Sequence, residues 1–338
     1  MPAKRSPAAW LASLSGAERE AFLDGLSENA LAAMPWLWAL WAHPAHQLPP
    51  PDPWRVWVIL GGRGSGKTRA GAEWIRSRVE GATPADPGPA RRVALVGETV
   101  EEVRRVMVLG ESGLLACTPP DRRPEFLSSQ NRLVWPNGAE ATILSAANPE
   151  ALRGPQFDTA WADELAKWRG AREAWDMLQF CLRLGEDPRQ IVTTTPRDAP
   201  VLAEILADPG AVVTRAGTAA NAANLAPGFL AALEARYGGT ALGRQELGGE
   251  LIRARRGALW TREVIEAGRV RRAPALDRVV VAVDPPVSAG ASSDECGILV
   301  AGVKKEGQPG DWRAYVLADY SAARARPGDW AGVAAEAY

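Results

Sequence analysis

The sequence predicts an α/β protein built on a mostly parallel sheet, followed by the opening of a second α/β domain. Three observations carry that prediction. The stretch "WVILGGRGSGKTRAGAEWI" (Trp57 to Ile75) passes from an apolar run through a glycine-rich loop into a helical pattern. Short apolar runs then alternate with helical patterns as far as about residue 215, as strands joined by helical crossovers do. From residue 276, three strand-like runs follow one another with no helix between them.

Taken in order, residues 1–48 read as a helical segment. Within it "SGAEREAFLDGL" opens on Ser15 with Glu18 three residues later, the pattern of a capping box. The run "LAAMPWLWALWA" (Leu31 to Ala42) is apolar, but it is too short for a membrane span and holds a proline, so it reads as a helix packed on a neighbour. "HQLPPPDP" is a linker, since consecutive prolines forbid helix and lack backbone donors.

The core domain, residues 49–215, starts with "WRVWVIL" as a buried strand and "KTRAGAEWIRSRVEG" as a helix. "RRVALVGET" is the next strand and "VEEVRRVMVLG" the next helix. "RLVWPNG", "AEATILSA", "FDTAWAD" and "RQIVTTTP" are further strands, with the helix "AREAWDMLQFCLRL" between the last two. Residues 216–275, richer in Gly, Ala and Arg, form a helical connecting segment. "DRVVVAVDPP", "CGILVAGV" and "RAYVLADY" are the strands of the second domain, residues 276–338, with a helix beginning near Pro327.

At 338 residues the chain is long enough for two domains, and 46% hydrophobic with 23% charged residues is ordinary for a soluble globular protein. A net charge of -1 argues against a uniformly basic nucleic-acid binder. DNA contact then depends on local clusters such as "RARR" (Arg253 to Arg256) and "RVRR" (Arg269 to Arg272), which are more often solvated faces. Cys117, Cys181 and Cys296 are scattered without metal-ligand spacing, which speaks against a disulfide framework or structural zinc and fits a reducing compartment. His43 and His46 lie in the Pro-rich stretch and read as loop residues, a metal pair being the lesser alternative. The N-terminus lacks the apolar core of a signal peptide, so the expectation is a cytoplasmic protein without membrane contact.

The segment Gly61-Gly62-Arg63-Gly64-Ser65-Gly66-Lys67-Thr68 fits G-x-x-x-x-G-K-[ST] at every required position. Glycines let the backbone curl until several N–H groups face phosphate oxygens, and the following helix adds the positive end of its dipole. Lys67 is expected to reach the β and γ phosphates of ATP, and the Thr68 hydroxyl to coordinate Mg²⁺. "FDTAWADE" then places Asp163 and Glu164 at the tip of a strand. Asp163 is the candidate Mg²⁺ ligand and Glu164 the candidate general base that polarises the attacking water. Taken alone the pair could equally cap the helix "LAKWRG"; a P-loop at this distance favours ATP hydrolysis.

From residue 54 onward the chain resembles the large terminase subunits of tailed phages and of phage-like gene transfer agents. "GGRGSGKTRAGAEW", "ALVGET", "LRGPQFDTAWADELAKW", "WDMLQF", "VTTTPR", "GRQELGGEL", "GALW" and "VDPP" carry the resemblance together. It implies an ASCE-type P-loop ATPase joined to an RNase H-like nuclease, which drives double-stranded DNA into a procapsid. The implied partners are a portal protein, a small terminase subunit and further copies of the chain in a ring. Arg63 matches the family's loop arginine, placed to sense the γ-phosphate. Arg153 matches an arginine that reaches a neighbouring subunit's nucleotide, with a salt bridge on its own subunit as the alternative. Thr193, Thr194 and Thr195 match the coupling motif that links nucleotide state to movement.

The resemblance also makes Asp284, in "VVVAVDPP", the first metal-binding carboxylate of a nuclease using Mg²⁺ or Mn²⁺. Asp294 would be an accessory acid. The family's other essential carboxylates lie later, and Asp319 comes too early to be the second. The resemblance thus implies a nuclease domain cut short at Tyr338 and inactive in this chain.

Overall fold

All six residues of strand β1 (Val56–Gly61) are buried, as in a strand covered on both faces. The computed structural model describes residues 6–51, 53–252, 260, 262–285, 296–322 and 327–338. They divide into two units, Met1–Ala254 and Arg255–Tyr338.

In the first unit β1 joins β2 (Arg92–Gly97), β3 (Glu125–Leu127), β4 (Arg132–Val134), β5 (Glu140–Ser145), β6 (Thr159–Asp163), β7 (Arg189–Thr194) and β8 (Ala211–Ala216) in one sheet. Its order is β3-β4-β5-β2-β6-β7-β1-β8. The pairings from β5 through β8 are parallel, while β3–β4 and β4–β5 are antiparallel. The strand with the threonines, β7, therefore lies between the P-loop strand β1 and the acidic-pair strand β6.

Side chains alternate faces along a strand, and the two faces of the sheet carry separate cores. Trp57, Ile59, Leu95, Trp161 and Ile191 pack on one side with Trp74 and Ile75. The latter two belong to the helix α5, Lys67–Val79, the fifth in the chain. Val58, Leu60, Val96, Ala162 and Val192 pack on the other side with Trp175, Leu178 and Leu202. These come from α8 (Ala171–Cys181) and α9 (Pro200–Ala207).

The N-terminal segment is helical in four short pieces, α1 (Pro7–Ser13), α2 (Gly16–Asp24), α3 (Glu28–Ala33) and α4 (Trp38–Trp41). Ser15 does cap α2: its hydroxyl accepts from the Glu18 N–H at 3.3 Å, and Glu18 accepts from the Ser15 N–H at 2.9 Å. Three sequence expectations need correcting. The segment read as one helix, "VEEVRRVMVLG", is a short turn α6 (Val100–Glu102) that passes into a π-helical turn over Val103–Val108. A single helical turn, α7 (Leu114–Cys117), follows it. "RLVWPNG" supplies only the three residues of β4. Strands β3 and β8 and helix α9 are additions, and β8 falls at the predicted end of the pattern.

Residues 216–254 contribute α10 (Phe229–Tyr237) and α11 (Ala241–Glu246) to the first unit. In the second unit β9 (Arg278–Asp284), β10 (Gly297–Lys304) and β11 (Arg313–Asp319) form an antiparallel sheet of order β11-β10-β9. Cys296 and Ile298 pack with Trp330 and Val333 of the helix Pro327–Ala337.

Candidate nucleotide and metal site

The end of β1 turns sharply because two residues of the loop take left-handed backbone angles: Gly64 at φ 71° and Gly66 at φ 86°. A side chain at either position is disfavoured. Gly66 caps α5 without a side-chain hydrogen bond, so the helix presents its N-terminal amides to whatever enters the loop. The Ser65 hydroxyl is buried without a partner. That unsatisfied group, beside a helix N-terminus and a lysine, fits a phosphate chain.

Lys67 is buried. Its Nζ donates to the carbonyls of Gly61 (2.9 Å) and Gly62 (3.1 Å) and to Thr195 Oγ1 (3.3 Å), and lies 3.6 Å from Glu164 Oε1. Thr68 lines two cavities. One is a cleft of about 880 Å³ bordered also by Trp38, Gln47, Arg105 and Asn224. The other, about 130 Å³, is bordered by Thr68, Glu102, Asp163, Glu164 and Lys167. A hydroxyl and carboxylates are hard oxygen donors of the kind Mg²⁺ takes together with substrate phosphates. The residues fit a Mg²⁺–nucleotide.

Asp163 ends β6 and is buried. Thr193 Oγ1 donates to Asp163 Oδ1 at 2.5 Å and accepts from Trp161 Nε1 at 2.7 Å. Burial, and then the neighbouring Glu164 charge, push the Asp163 carboxyl up to about 7, against the Thr193 hydrogen bond and Lys67. Ionised Asp163 therefore calls for a cation close by.

Glu164 is a rare non-glycine residue in the left-handed region, at φ 52°. Its N–H donates to Thr193 O at 2.6 Å, and its carboxylate accepts from the Thr195 N–H at 3.1 Å and the Thr195 hydroxyl at 3.4 Å. Thr194 Oγ1 accepts from the Ala166 N–H at 3.1 Å. The structure thus gathers Lys67, Thr68, Asp163, Glu164 and all three threonines at one end of the sheet.

Other predicted residues lie apart from this cluster. The exposed Arg63 bonds Glu246 through Nε at 2.8 Å. Arg153, also exposed, pairs with Glu150 at 3.3 Å. In the second unit Asp284 ends β9 opposite Gly297. Asp294 and "RARR" lie outside the described residues.

Several loop partners escaped the sequence reading. Gln47 Nε2 donates to Ser65 O at 3.2 Å, Thr218 Oγ1 to Arg63 O at 2.7 Å, and Asn221 Nδ2 to Gly64 O at 2.7 Å. The Arg63 N–H donates to Glu246 O at 2.7 Å. Segments on both sides of the core thus strap the loop. "GRQELGGEL" around Glu246 belonged to the resemblance, while the other three carried no signal.

A P-loop, an acidic pair and a threonine-bearing strand between them, on a mostly parallel sheet, define an ASCE-type P-loop ATPase fold. The chain belongs to the family described as terminase large subunit, T4likevirus-type, N-terminal, which matches residues 58–267. It matches no curated protein.

Among solved structures it is similar to the large terminase of a thermophilic bacteriophage in complex with ADP. That match has 12% identity and a TM-score of 0.50 over 84% of this chain and 66% of the other. At that identity the likeness bears on the fold alone. The Thermus phage P74-26 large terminase ATPase domain matches at 16% identity and a TM-score of 0.45, over 60% of this chain and 90% of that one. The HK97 bacteriophage large terminase matches at 20% and 0.45, over 77% and 58%. This chain therefore spans about two thirds of the ADP-bound terminase and less of the HK97 protein.

Proposed function

We propose that the chain is the ATP-hydrolysing motor subunit of a viral terminase, which moves double-stranded DNA into a procapsid. The observation that supports it best is the meeting of Lys67, Thr68, Asp163 and Glu164 at one sheet end, with Thr195 touching both Lys67 and Glu164.

In this reading the loop Gly61–Thr68 cradles the phosphates and the Lys67 ammonium turns from the Gly61 and Gly62 carbonyls to the β and γ oxygens. Thr68 and Asp163 hold Mg²⁺, which supplies charge neutralisation on the phosphates. Glu164 takes a proton from the attacking water as the new P–O bond forms and the bond from the γ-phosphorus to ADP breaks. Thr193 fixes Asp163, and Thr195 holds Glu164 until Lys67 is drawn to phosphate. The threonines thereby couple nucleotide state to β7. Arg63 leaves Glu246 to sense the γ-phosphate, and Arg153 leaves Glu150 to reach a neighbour's nucleotide in a homo-oligomeric ring.

The same reading includes a portal protein and a small terminase subunit as partners and the bacterial cytoplasm as location. Among the described residues, no helix is long and apolar enough to cross a membrane. Asp284 is proposed as a ligand of a Mg²⁺- or Mn²⁺-dependent endonuclease in the second unit.

Glu164→Gln tests the reading. It keeps the side chain's size and removes its charge, so it is expected to bind a fluorescent ATP analogue while phosphate release falls to background. Turnover close to that of the unaltered chain would remove Glu164 from its role as general base, and an unaltered chain that releases no phosphate from ATP would contradict the hydrolase reading.

A further inference from the structure

The Glu164 turn is held in an unfavourable backbone conformation, and its ties divide by direction. Toward β7 and Thr195 just after it they are the Glu164 N–H to Thr193 O, the Ala166 N–H to Thr194 Oγ1 and the Glu164 carboxylate accepting from the Thr195 N–H and hydroxyl. Toward the segment after β2 they run to carboxylates. The Arg169 N–H donates to both Glu98 oxygens, at 3.3 and 3.1 Å, and Lys167 Nζ forms an ion pair with Glu102.

That pair is placed unlike an ordinary surface bridge. Lys167 and Glu102 both line the cavity of about 130 Å³ shared by Thr68, Asp163 and Glu164. Three carboxylates border that space, and the Glu102 charge is felt at Asp163. Glu102 also opens the π-helical turn Val103–Val108, whose Val103, Val106 and Met107 complete the wall. Single π turns inside helices recur at functional sites. An exposed ion pair adds little to stability; this one sits where charge and position bear on the reacting groups.

We infer that Lys167 is a positioning residue for ATP hydrolysis: by pairing with Glu102 it neutralises the third carboxylate of the metal cavity and holds the Glu164 turn in place. The inference rests on the ATPase reading above. With Lys167 uncharged, the Glu102 carboxylate is free to draw Mg²⁺ from the position set by Thr68 and Asp163, and the turn loses its tie to the Glu102 segment. Among the described residues no hydrogen bond or ion pair joins Lys167 or Glu102 to Gly61–Thr68, so turnover falls while metal-free nucleotide affinity holds.

The test uses Lys167→Met, which keeps the side chain's stem, with Lys167→Arg, Lys167→Met/Glu102→Gln and Glu164→Gln beside it. Misplacing a catalytic group costs rate steeply, so Lys167→Met is expected to lower kcat by about 10-fold or more. Its affinity for the fluorescent ATP analogue without Mg²⁺, read by titration and independent of turnover, should stay within about 2-fold, because the change acts through the metal and the Glu164 turn. Half-maximal activity should come at a lower Mg²⁺ concentration. Lys167→Arg should restore most of the rate, and adding Glu102→Gln to Lys167→Met should return the Mg²⁺ dependence toward the original. Should Lys167→Met fail to fold in a thermal melt, the double variant and Lys167→Arg decide through the same kcat and Mg²⁺ readings. Full activity in Lys167→Met, or a loss that neither the arginine nor the removal of Glu102 relieves, would overturn the inference. A fully active Glu164→Gln sinks the assignment of the Glu164 turn on which the inference rests; an inactive Glu164→Gln beside a fully active Lys167→Met sinks only the pair.

Discussion

Lys67 spends its three donors inside the protein, on two loop carbonyls and Thr195, with Glu164 as its counter-charge. Replacing it by alanine removes the cation offered to the phosphates and leaves Glu164 unbalanced. Lys67→Ala is therefore expected to lose ATP turnover and to bind the nucleotide analogue weakly; near-normal phosphate release by the folded variant would contradict the assignment. Lys67 with Thr68, and Asp163 with Glu164, could be named as candidates because each pair stands in a short local pattern, "GKT" and "ADE". Gln47, Thr218 and Asn221 could not. Their contacts with the loop cross 18, 155 and 157 positions respectively, and a polar residue in a linker or turn carries no mark of where its side chain ends. Glu102 and Lys167 were hidden in the same way, 65 positions apart.

Helix α5 shows how packing of elements reaches the site. Gly71 lies in its middle, where glycine is less favourable than alanine by about 1 kcal/mol, so the local pattern gives no reason for it. The reason is the neighbouring strand: a Cβ at Gly71 would come within 2.3 Å of the buried Trp161 ring on β6. Trp161 Nε1 donates to Thr193 Oγ1, which donates to Asp163. Gly71→Ala is thus expected to destabilise the fold by about 1–3 kcal/mol through overpacking, despite its better helix propensity. For a domain of this size that is about 2–4 °C in Tm per kcal/mol. Turnover should drop as well, because the ring carries Thr193 and Asp163 with it. A melt unchanged or raised, with full turnover, would mean the contact yields without cost. At this scale long buried strands and α5 were legible from period and composition. β8 was not, since its residues are mostly half-buried and show no clear alternation. The π turn was not either, because one wider turn leaves a helical apolar pattern nearly unaltered.

Across the whole molecule, the α/β class, the mostly parallel sheet and the second group of strands could all be read from alternating patterns. Strand order could not. That β7 lies between β1 and β6 is a long-range choice, and it is what brings Thr193 and Thr195 against Asp163 and Glu164. In the second unit Asp284 sits at the end of β9, as the run "VVVAVD" implied, while Asp294 lies outside the described residues. We propose that the end of the larger sheet binds and hydrolyses ATP. A crystal structure of the chain with Mg²⁺ and a non-hydrolysable ATP analogue tests it most directly. Phosphates are expected along Gly61–Thr68, with Lys67 Nζ moved from the Gly61 and Gly62 carbonyls to the β and γ oxygens and the metal beside Thr68 and Asp163. An analogue seated elsewhere, or phosphates in the loop with the metal away from Thr68 and Asp163, would contradict it.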